Sequence, residues 1–194
     1  MIPENKIDPR IVRTRKLLIE SFTKLTLKKD FKDITIQDIT DEATVNRATF
    51  YSHFEDKYEL MEFVISDAII ERIGKRLEGF DQLNSETIIR VFLLITNFQS
   101  EFEMELTSQC KRSMKSFNHV YESKIKYELE KLFQNLLQNQ YTELDQESIQ
   151  IGAGLLSASI YGASVNWSHS SSLNAEEYIR RAIPFISGMY LNNE

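Results

Sequence analysis

Residues 34–60 constrain the fold of this chain more than any other stretch, because they carry two short helical patterns separated by a tight break. Thr35 is a favoured helix N-cap, and Asp38, three residues later, completes an acidic variant of the capping box. Asn46 gives the next N-cap signal, at the start of a second helix. Two helices joined by three or four residues form a helix-turn-helix, whose second helix enters the DNA major groove.

The second of these helices is predicted to have one buried and one exposed side. Phe50 and Phe54 lie four residues apart, so both side chains point to the same interior. On the other side, arginine can bind the O6 and N7 atoms of guanine, and small or hydroxyl side chains can contact a thymine methyl group. Thr, Tyr, His and Lys side chains carry donors for phosphates. The predicted DNA-binding residues are Thr35, Arg47, Ala48, Thr49, Tyr51, Ser52, His53 and Lys57.

This stretch resembles the DNA-binding domain of TetR/AcrR transcriptional regulators, over roughly residues 10–60. The resemblance implies that Arg47 and Ala48 contact bases. It implies contacts to the DNA backbone by Thr35, Thr49, Tyr51, His53 and Lys57. For Tyr51 and His53, packing within a small helical bundle is the alternative to a phosphate contact. The resemblance is carried by Thr35, Ile39, Ala43, Val45, Thr49, Tyr51, Phe54, Lys57 and Leu60, with TFYSHFEDKYEL as its most distinctive run.

The turn between the two helices departs from the family pattern. The family usually has glycine there, whereas this chain has Thr44. A β-branched residue is a poor occupant of a position with positive φ. Two alternatives follow: the turn avoids the left-handed conformation, or it carries strain of about 1–3 kcal/mol.

The charge of the chain is unevenly distributed. The net charge of −6 by itself argues against a nucleic-acid ligand. Residues 10–29, however, carry seven basic side chains and one acid, whereas residues 61–194 carry 12 basic and 18 acidic ones. A solvated helix face is the ordinary explanation of a charged run. A basic helix beside a helix-turn-helix is typical of a phosphate-binding surface, which is the interpretation favoured here.

Composition and motifs favour a soluble protein that is not an enzyme. The single cysteine, Cys110, cannot form an internal disulfide, and the chain has neither a run of 18 apolar residues nor a signal-peptide pattern. We therefore expect a cytoplasmic protein. There is no G-x-S-x-G, Walker A or G-x-G-x-x-G motif, and the three histidines lie far apart. We expect no catalytic site, no metal site and no cofactor.

Few glycines and prolines, together with long periodic segments, predict an all-α fold of about nine helices. We expect a three-helix head at residues 1–56 and a helical-bundle body for ligand binding and dimerisation at residues 57–194. In the head, Ile11 is predicted on the buried face of the first helix. A helix at Asp56–Leu77, with Ile70 among its apolar positions, would connect the head to the body.

The helix predicted at Gln146–His169 is apolar on two sides, with Ile149 on one stripe and Ile151 and Leu155 on the other. Such a helix must be covered on two sides, and a partner subunit can supply one of them. The last helix is predicted at Ala175–Leu191. The resemblance likewise implies a homodimer formed by the last two helices.

Aromatic residues of the body come from segments that would converge in a bundle, and helical bundles hold apolar ligand pockets. Dense core packing is the alternative for each of them. The resemblance implies a ligand pocket in this region and repression relieved by an inducer, but it assigns no ligand residue. The predicted ligand-binding residues are Phe92, Phe98, Phe102, Met114, Phe117, Tyr121 and Trp167.

Together these patterns predict a homodimeric transcriptional repressor that leaves a palindromic operator in double-stranded DNA when a small apolar or aromatic effector binds. Two alternatives stay open. One is an activator or coactivator controlled by a protein partner. The other is a helical enzyme, or a small-molecule or lipid-binding bundle, without a DNA role. Loss of Arg47 distinguishes the last class, because it should abolish DNA recognition and leave an enzyme intact.

Overall fold

The computed structural model describes residues 8–106, 108, 111, 115–186 and 188. Within these residues the regular elements are helical, which confirms the predicted all-α fold with a helix count near nine. The α-helices are α1 (Pro9–Thr26), α2 (Ile36–Ala43), α3 (Arg47–Tyr51), α4 (Lys57–Ile69), α5 (Lys75–Leu77), α6 (Ser85–Glu105), α7 (Asn118–Gln140), α8 (Gln146–Ser170) and α9 (Ala175–Ile186).

The chain divides into two compact units. The head unit combines Met1–Ser66 with Glu105–Asn118, and the body unit combines Asp67–Met104 with His119–Glu194. The head unit therefore contains part of the connection between α6 and α7 in addition to the N-terminal helices. The predicted boundary between residues 56 and 57 stays a prediction.

α1 begins with a defined cap. The Asp8 carboxylate accepts a hydrogen bond from the N–H two residues later, at 2.8 Å. Pro9 is the first helical residue, where the missing proline N–H breaks no intrahelical bond. The prediction that Ile11 lies on the buried face is wrong, since Ile11 is 50% exposed. The first buried residue of α1 is Leu18, two turns later.

The predicted helix at Asp56–Leu77 is helical over nearly its whole length, but it is not uniformly α-helical. α4 is followed by a π-helical turn at Ile70–Gly74 and then by α5. Ile70, one of the apolar positions that the sequence gives for this helix, is 44% exposed. The buried positions instead follow four-residue steps, which leave Ile70 on the outer side: Ile65, Ile69, Ile73 and Leu77.

In the body unit, α8 is the two-sided helix that the sequence predicts. Ala153 and Ile160 are buried, whereas Ile151 is 58% and Leu155 is 65% exposed. On α9, Phe185 is 74% exposed. These two helices therefore carry large apolar side chains that the single chain leaves in contact with solvent.

Within the described residues, α9 ends at Ile186. α9 is predicted to reach Leu191, but residues 187 and 189–194 lie outside the described part of the chain. Among the residues that are described, none of the helices has both the length and the apolar character needed to span a bilayer. The same residues contain no group of three or more His, Cys, Asp or Glu side chains suited to a metal ion.

Candidate nucleic-acid interface

The turn between α2 and α3 adopts a left-handed conformation. Thr44, at the end of α2, has φ 54° and ψ 44°. The N–H of Val45 donates to the carbonyl of Thr40 at 3.0 Å and closes the turn. Of the two alternatives for this turn, the structure adopts the strained one, which costs a residue with a Cβ atom about 1–2 kcal/mol. The short connection confirms the helix-turn-helix arrangement.

A hydrogen-bond network holds the N-terminus of α2, and the predicted capping box is present. The N–H of Asp38 donates to the Thr35 hydroxyl at 3.1 Å, while the N–H and hydroxyl of Thr35 both donate to Asp38 Oδ2 at 2.8 Å. Lys29 Nζ donates to Asp38 Oδ1 at 2.8 Å. Lys29, and next the Thr35 N–H, lower the pKa of Asp38 from 3.8 to about 2. A phosphate contact that uses the Thr35 hydroxyl hydrogen would have to break this network.

Asn46 caps α3, as the sequence predicts. Its Oδ1 accepts hydrogen bonds from the N–H of Thr49 at 2.7 Å and from the Thr49 hydroxyl at 2.9 Å. On the inner side of the helix, Phe50 is 0% and Phe54 is 2% exposed, which confirms the predicted buried face. The cap and the two rings together fix which side of α3 faces outward.

Four of the predicted DNA-binding residues lie together on that outer side. Arg47 and Ala48 begin α3, Tyr51 follows one turn later, and Ser52 ends the helix; all four are exposed. Arg47 Nη2 donates to the Tyr51 hydroxyl at 3.1 Å. The Ser52 hydroxyl donates to the carbonyl of Thr49 at 2.7 Å. The spacing i, i+1, i+4 and i+5 places these side chains on one helix face.

His53 is half-buried and lies beside Arg15 of α1. Arg15 Nη1 donates to the carbonyl of His53 at 3.3 Å, and its guanidinium carbon lies 4.4 Å from the ring centroids of both Phe54 and Phe63. Burial, and next the charge of Arg15, lower the pKa of His53 below 6.5. Both effects disfavour the charged imidazolium form. A phosphate contact by His53 stays a prediction.

Lys57 directs its ammonium group into the head unit. Its Nζ donates to the carbonyls of Phe31 at 2.9 Å, Lys32 at 3.2 Å and Ile34 at 2.6 Å. An ammonium group has three hydrogens, so these contacts use all of them. Burial lowers the pKa of Lys57. The side chain thus holds the 3₁₀ turn Phe31–Asp33, which precedes α2, and a phosphate contact by Lys57 stays a prediction.

The basic residues of α1 and the turn after it divide into paired and unpaired groups. Arg10, Arg13 and Lys28 are exposed and have no acidic partner within the described part of the chain. These side chains are available to neutralise phosphates. The ion pairs of this region are Lys16–Glu20, Lys24–Glu42 and Lys29–Asp38.

The predicted ligand-binding residues of the body unit form two separate aromatic groups. Phe98, Phe102 and Tyr121 stack on one another, with ring centroids 5.3 to 6.2 Å apart. Phe92 packs on Trp167, with centroids 6.4 Å apart. In both groups the rings contact each other, as residues of a packed core do.

Phe117 belongs to the head unit. It lies on a 3₁₀ turn, is 3% exposed, and packs on Phe31 with ring centroids 5.0 Å apart and on Tyr58 with centroids 6.2 Å apart. Met114 lies outside the described residues. Ligand binding by any of the predicted aromatic residues stays a prediction.

A cavity of about 850 Å³ in the body unit is lined by residues that sequence reasoning missed. Its polar lining includes Asp67, Glu71, Glu128 and Lys131, and its aromatic lining includes Phe80. Glu128 is 4% exposed and accepts a hydrogen bond from Lys131 Nζ at 2.9 Å. The sequence offered no signal for this cavity, because six of its thirteen lining residues are charged and only one, Phe80, is aromatic.

α2 and α3 form a helix-turn-helix domain. Both helices are capped, a tight turn joins them, and the outer face of α3 is polar. Comparison with known proteins gives the same class, since the model of the family "Bacterial regulatory proteins, tetR family" matches residues 18–64. This domain is therefore similar to the DNA-binding domain of tetR-family regulators.

Two bacterial regulators are similar in sequence. YxbF, an HTH-type transcriptional regulator of Bacillus subtilis (strain 168), is 44% identical over 71 residues, which are 36% of this chain and 19% of that protein. DhaS, the HTH-type dhaKLM operon transcriptional activator of Lactococcus lactis subsp. lactis (strain IL1403), is 22% identical over 101 residues, 46% of this chain and 54% of that protein. The matches thus span a fifth and about half of these relatives.

A solved structure, a TetR transcriptional regulator from Streptococcus agalactiae 2603V, is similar over 92% of this chain and 96% of its own, with a TM-score of 0.49 and 19% identity.

Proposed function

We propose that the protein is a sequence-specific transcriptional repressor that binds a palindromic DNA operator as a homodimer and is released by a small-molecule effector. The observation that carries this proposal is the capped helix α3, whose first residue, Arg47, is exposed beside Ala48. Recognition helices contact base edges with their N-terminal residues. An arginine that binds guanine O6 and N7 there contributes about 1–3 kcal/mol of discrimination.

The surface around α3 supports binding to the DNA backbone. Arg10, Arg13 and Lys28 are unpaired cations of the described head unit, and each phosphate that they neutralise releases condensed counterions. The affinity should therefore fall as salt rises.

The exposed apolar side chains of α8 and α9 support a homodimer. Ile151, Leu155 and Phe185 are each more than half exposed in the single chain. Contact with a second copy would remove this apolar surface from water, which stabilises association by about 25 cal/mol per Å². A two-fold axis would then present two α3 helices to half-sites about 34 Å apart, which is the reason that the operator is expected to be palindromic.

Release by an effector follows from a population shift. A ligand that binds better to a conformation in which the two heads no longer match successive major grooves lowers operator affinity. The body cavity of about 850 Å³ lies within the size range of small-molecule sites, about 300–1,000 Å³. Saturation with a confirmed ligand should weaken operator binding, and an unchanged affinity would count against this mechanism.

The experiment that tests DNA recognition is selection of bound duplexes from a random pool, with wild type and Arg47→Ala, at two salt concentrations. We expect a palindromic consensus with wild type and a relaxed or lost consensus with the variant. Arg76→Ala is the charge-matched control, because this exposed arginine of the body unit pairs with Glu101 and lies outside the proposed interface.

The outcomes separate the classes of function. A consensus that Arg76→Ala retains and Arg47→Ala loses would assign base reading to α3. Soluble, dimeric wild-type protein that enriches no sequence even at low salt would contradict the proposal and favour a partner-dependent or enzymatic protein.

The sign of regulation needs its own measurement, because one similar protein, DhaS, is described as an activator. Transcription in vitro from a promoter that carries the selected operator should decrease when the protein is added. An increase would replace repression by activation and leave the DNA-binding proposal intact.

A further inference from the structure

Arg47 and Tyr51 contact each other directly on the exposed side of α3. Arg47 Nη2 donates to the Tyr51 hydroxyl at 3.1 Å, and the guanidinium carbon lies 5.6 Å from the centroid of the Tyr51 ring. The two residues are four apart, the spacing at which side chains on a helix surface meet. The end of a long, flexible arginine side chain is thereby tethered at one nitrogen.

The tyrosine that provides this tether is itself held. Its ring packs edge-on against the ring of Phe50, with centroids 5.6 Å apart and an interplanar angle of 89°. Phe50 is 0% exposed, so its ring is a fixed support within the head unit. Tyr51 remains 47% exposed, which keeps its hydroxyl at the surface where Arg47 can reach it.

The contact leaves the base-reading capacity of Arg47 intact. A guanidinium group carries five N–H donors in a rigid, planar fork, and the Tyr51 hydroxyl accepts one of them. Four donors remain, enough for two parallel hydrogen bonds to guanine. A side chain that is already oriented loses less conformational entropy when it binds, so the tether should improve recognition of the correct base.

We propose that Tyr51 is a positioning residue for base reading, whose hydroxyl orients the Arg47 guanidinium toward the major groove. This inference rests on the proposed function. It differs from the phosphate contact that the sequence predicts for Tyr51. A phosphate contact contributes equally to every DNA sequence, whereas a positioning residue acts only through Arg47 and therefore only on selectivity.

A double-mutant cycle tests the difference. Wild type, Tyr51→Phe, Arg47→Ala and the double variant are titrated with the duplex that wild type selects from a random pool. The same titration is done with duplexes altered at the base pair whose preference Arg47→Ala relaxes. Arg47→Ala should lose about tenfold to a hundredfold of discrimination at that base pair. Tyr51→Phe should lose about threefold to tenfold, and the double variant should match Arg47→Ala.

Tyr58→Phe is the matched control. Tyr58 is also in the head unit and is 53% exposed, and its hydroxyl has no hydrogen bond within the part of the chain that the structure describes. It should leave discrimination unchanged. Thermal melting of every variant checks that the substitutions leave the fold intact.

Four results would overturn the inference. If the losses from Tyr51→Phe and Arg47→Ala add in the double variant, Tyr51 acts independently of Arg47, and the proposed function stands without this inference. If Tyr51→Phe discriminates between the duplexes as well as wild type does, Tyr51 does not position Arg47, and the proposed function again stands without this inference. If Arg47→Ala itself changes neither discrimination nor affinity, or if wild type selects no duplex, both the inference and the base contact of the proposed function are wrong.

Discussion

In the described part of the head unit, the side chains of α2 and α3 are held mostly by bonds to residues three or four positions away, and several polar groups remain exposed. In the body unit, aromatic rings pack on one another across segments far apart in sequence, as Phe92 does on Trp167 and Phe98 on Tyr121. Local bonds can be read from spacing, whereas ring packing depends on how distant segments meet. The head unit therefore exposes polar groups that can contact a ligand, whereas these rings of the body unit fill its interior.

The largest effect should come from the body. Phe98→Ala removes a ring that is 0% exposed, so we expect a loss of about 3–5 kcal/mol in the free energy of unfolding, measured by chemical denaturation. Met104→Ala is the control, since Met104 is 77% exposed and should change stability by less than about 0.5 kcal/mol. A loss below about 1 kcal/mol for Phe98→Ala would mean that its ring lines an open site. The body unit would then not be a packed core at this position.

The next largest effect should come from Lys57 in the head. Lys57→Met removes the ammonium donor from three carbonyl groups, of which, in the described part of the chain, only that of Phe31 also accepts from a backbone N–H, so stability should fall by about 2–3 kcal/mol. The salt dependence of DNA binding should stay unchanged, because the ammonium group is directed inward. Lys32→Met, an exposed neighbour, is the control and should be nearly neutral. Unchanged stability, together with a salt slope smaller by about one, would make Lys57 a phosphate contact instead.

A smaller, pH-dependent effect should come from the α2 cap. The pKa of Asp38 is about 2 in the folded head, below its ordinary value of 3.8. An acid whose pKa is lower in the folded state than in the unfolded state stabilises the fold at pH values above the unfolded-state pKa. This contribution is lost as the pH falls from about 4 toward 2. Because Asp38 is partly exposed, we expect about 1 kcal/mol. Denaturation as a function of pH should show this loss in wild type and not in Asp38→Asn. Lys29→Met should reduce it, and an equal loss in Asp38→Asn would exclude Asp38 as its source.

The smallest effect should be a gain in stability at the turn. Thr44→Gly removes the left-handed strain of about 1–2 kcal/mol, and the greater freedom of glycine in the unfolded chain offsets part of it. The expected net gain is about 0.5–1 kcal/mol in thermal or chemical unfolding. Thr44→Ala keeps a Cβ atom and should gain less. Destabilisation by Thr44→Gly would mean that the strain is relieved elsewhere in the turn.

The outcome of the sequence predictions follows the same division. The caps by Thr35 and Asn46 and the buried Phe50 were predictable, because each depends on spacing within one helix. The inward direction of Lys57 was not, because its acceptors lie 23 to 26 residues earlier in the chain. For Thr44 the sequence left two conformations open. The residue type determines how much the left-handed conformation costs, but it does not determine whether the turn adopts that conformation.

The aromatic residues show the other limit. Phe117 was predicted in a ligand pocket of the body, but it packs on Phe31 and Tyr58 within the head unit. Composition indicates that rings come together, and it cannot indicate which ones. The cavity beside Glu128 was missed for the complementary reason, because charged residues at irregular spacing give no periodic signal.

The π-helical turn at Ile70–Gly74 gives the helix a position at which its length can change. A turn closed by i→i+5 bonds contains one residue more than a turn closed by i→i+4 bonds. Deletion of one residue here would restore an uninterrupted α-helix and leave the side chains on both sides in their present phase. The same deletion within α4 would rotate all later side chains by about 100°. In evolutionary terms, this turn is where the helix can gain or lose a residue while both of its packing surfaces are conserved.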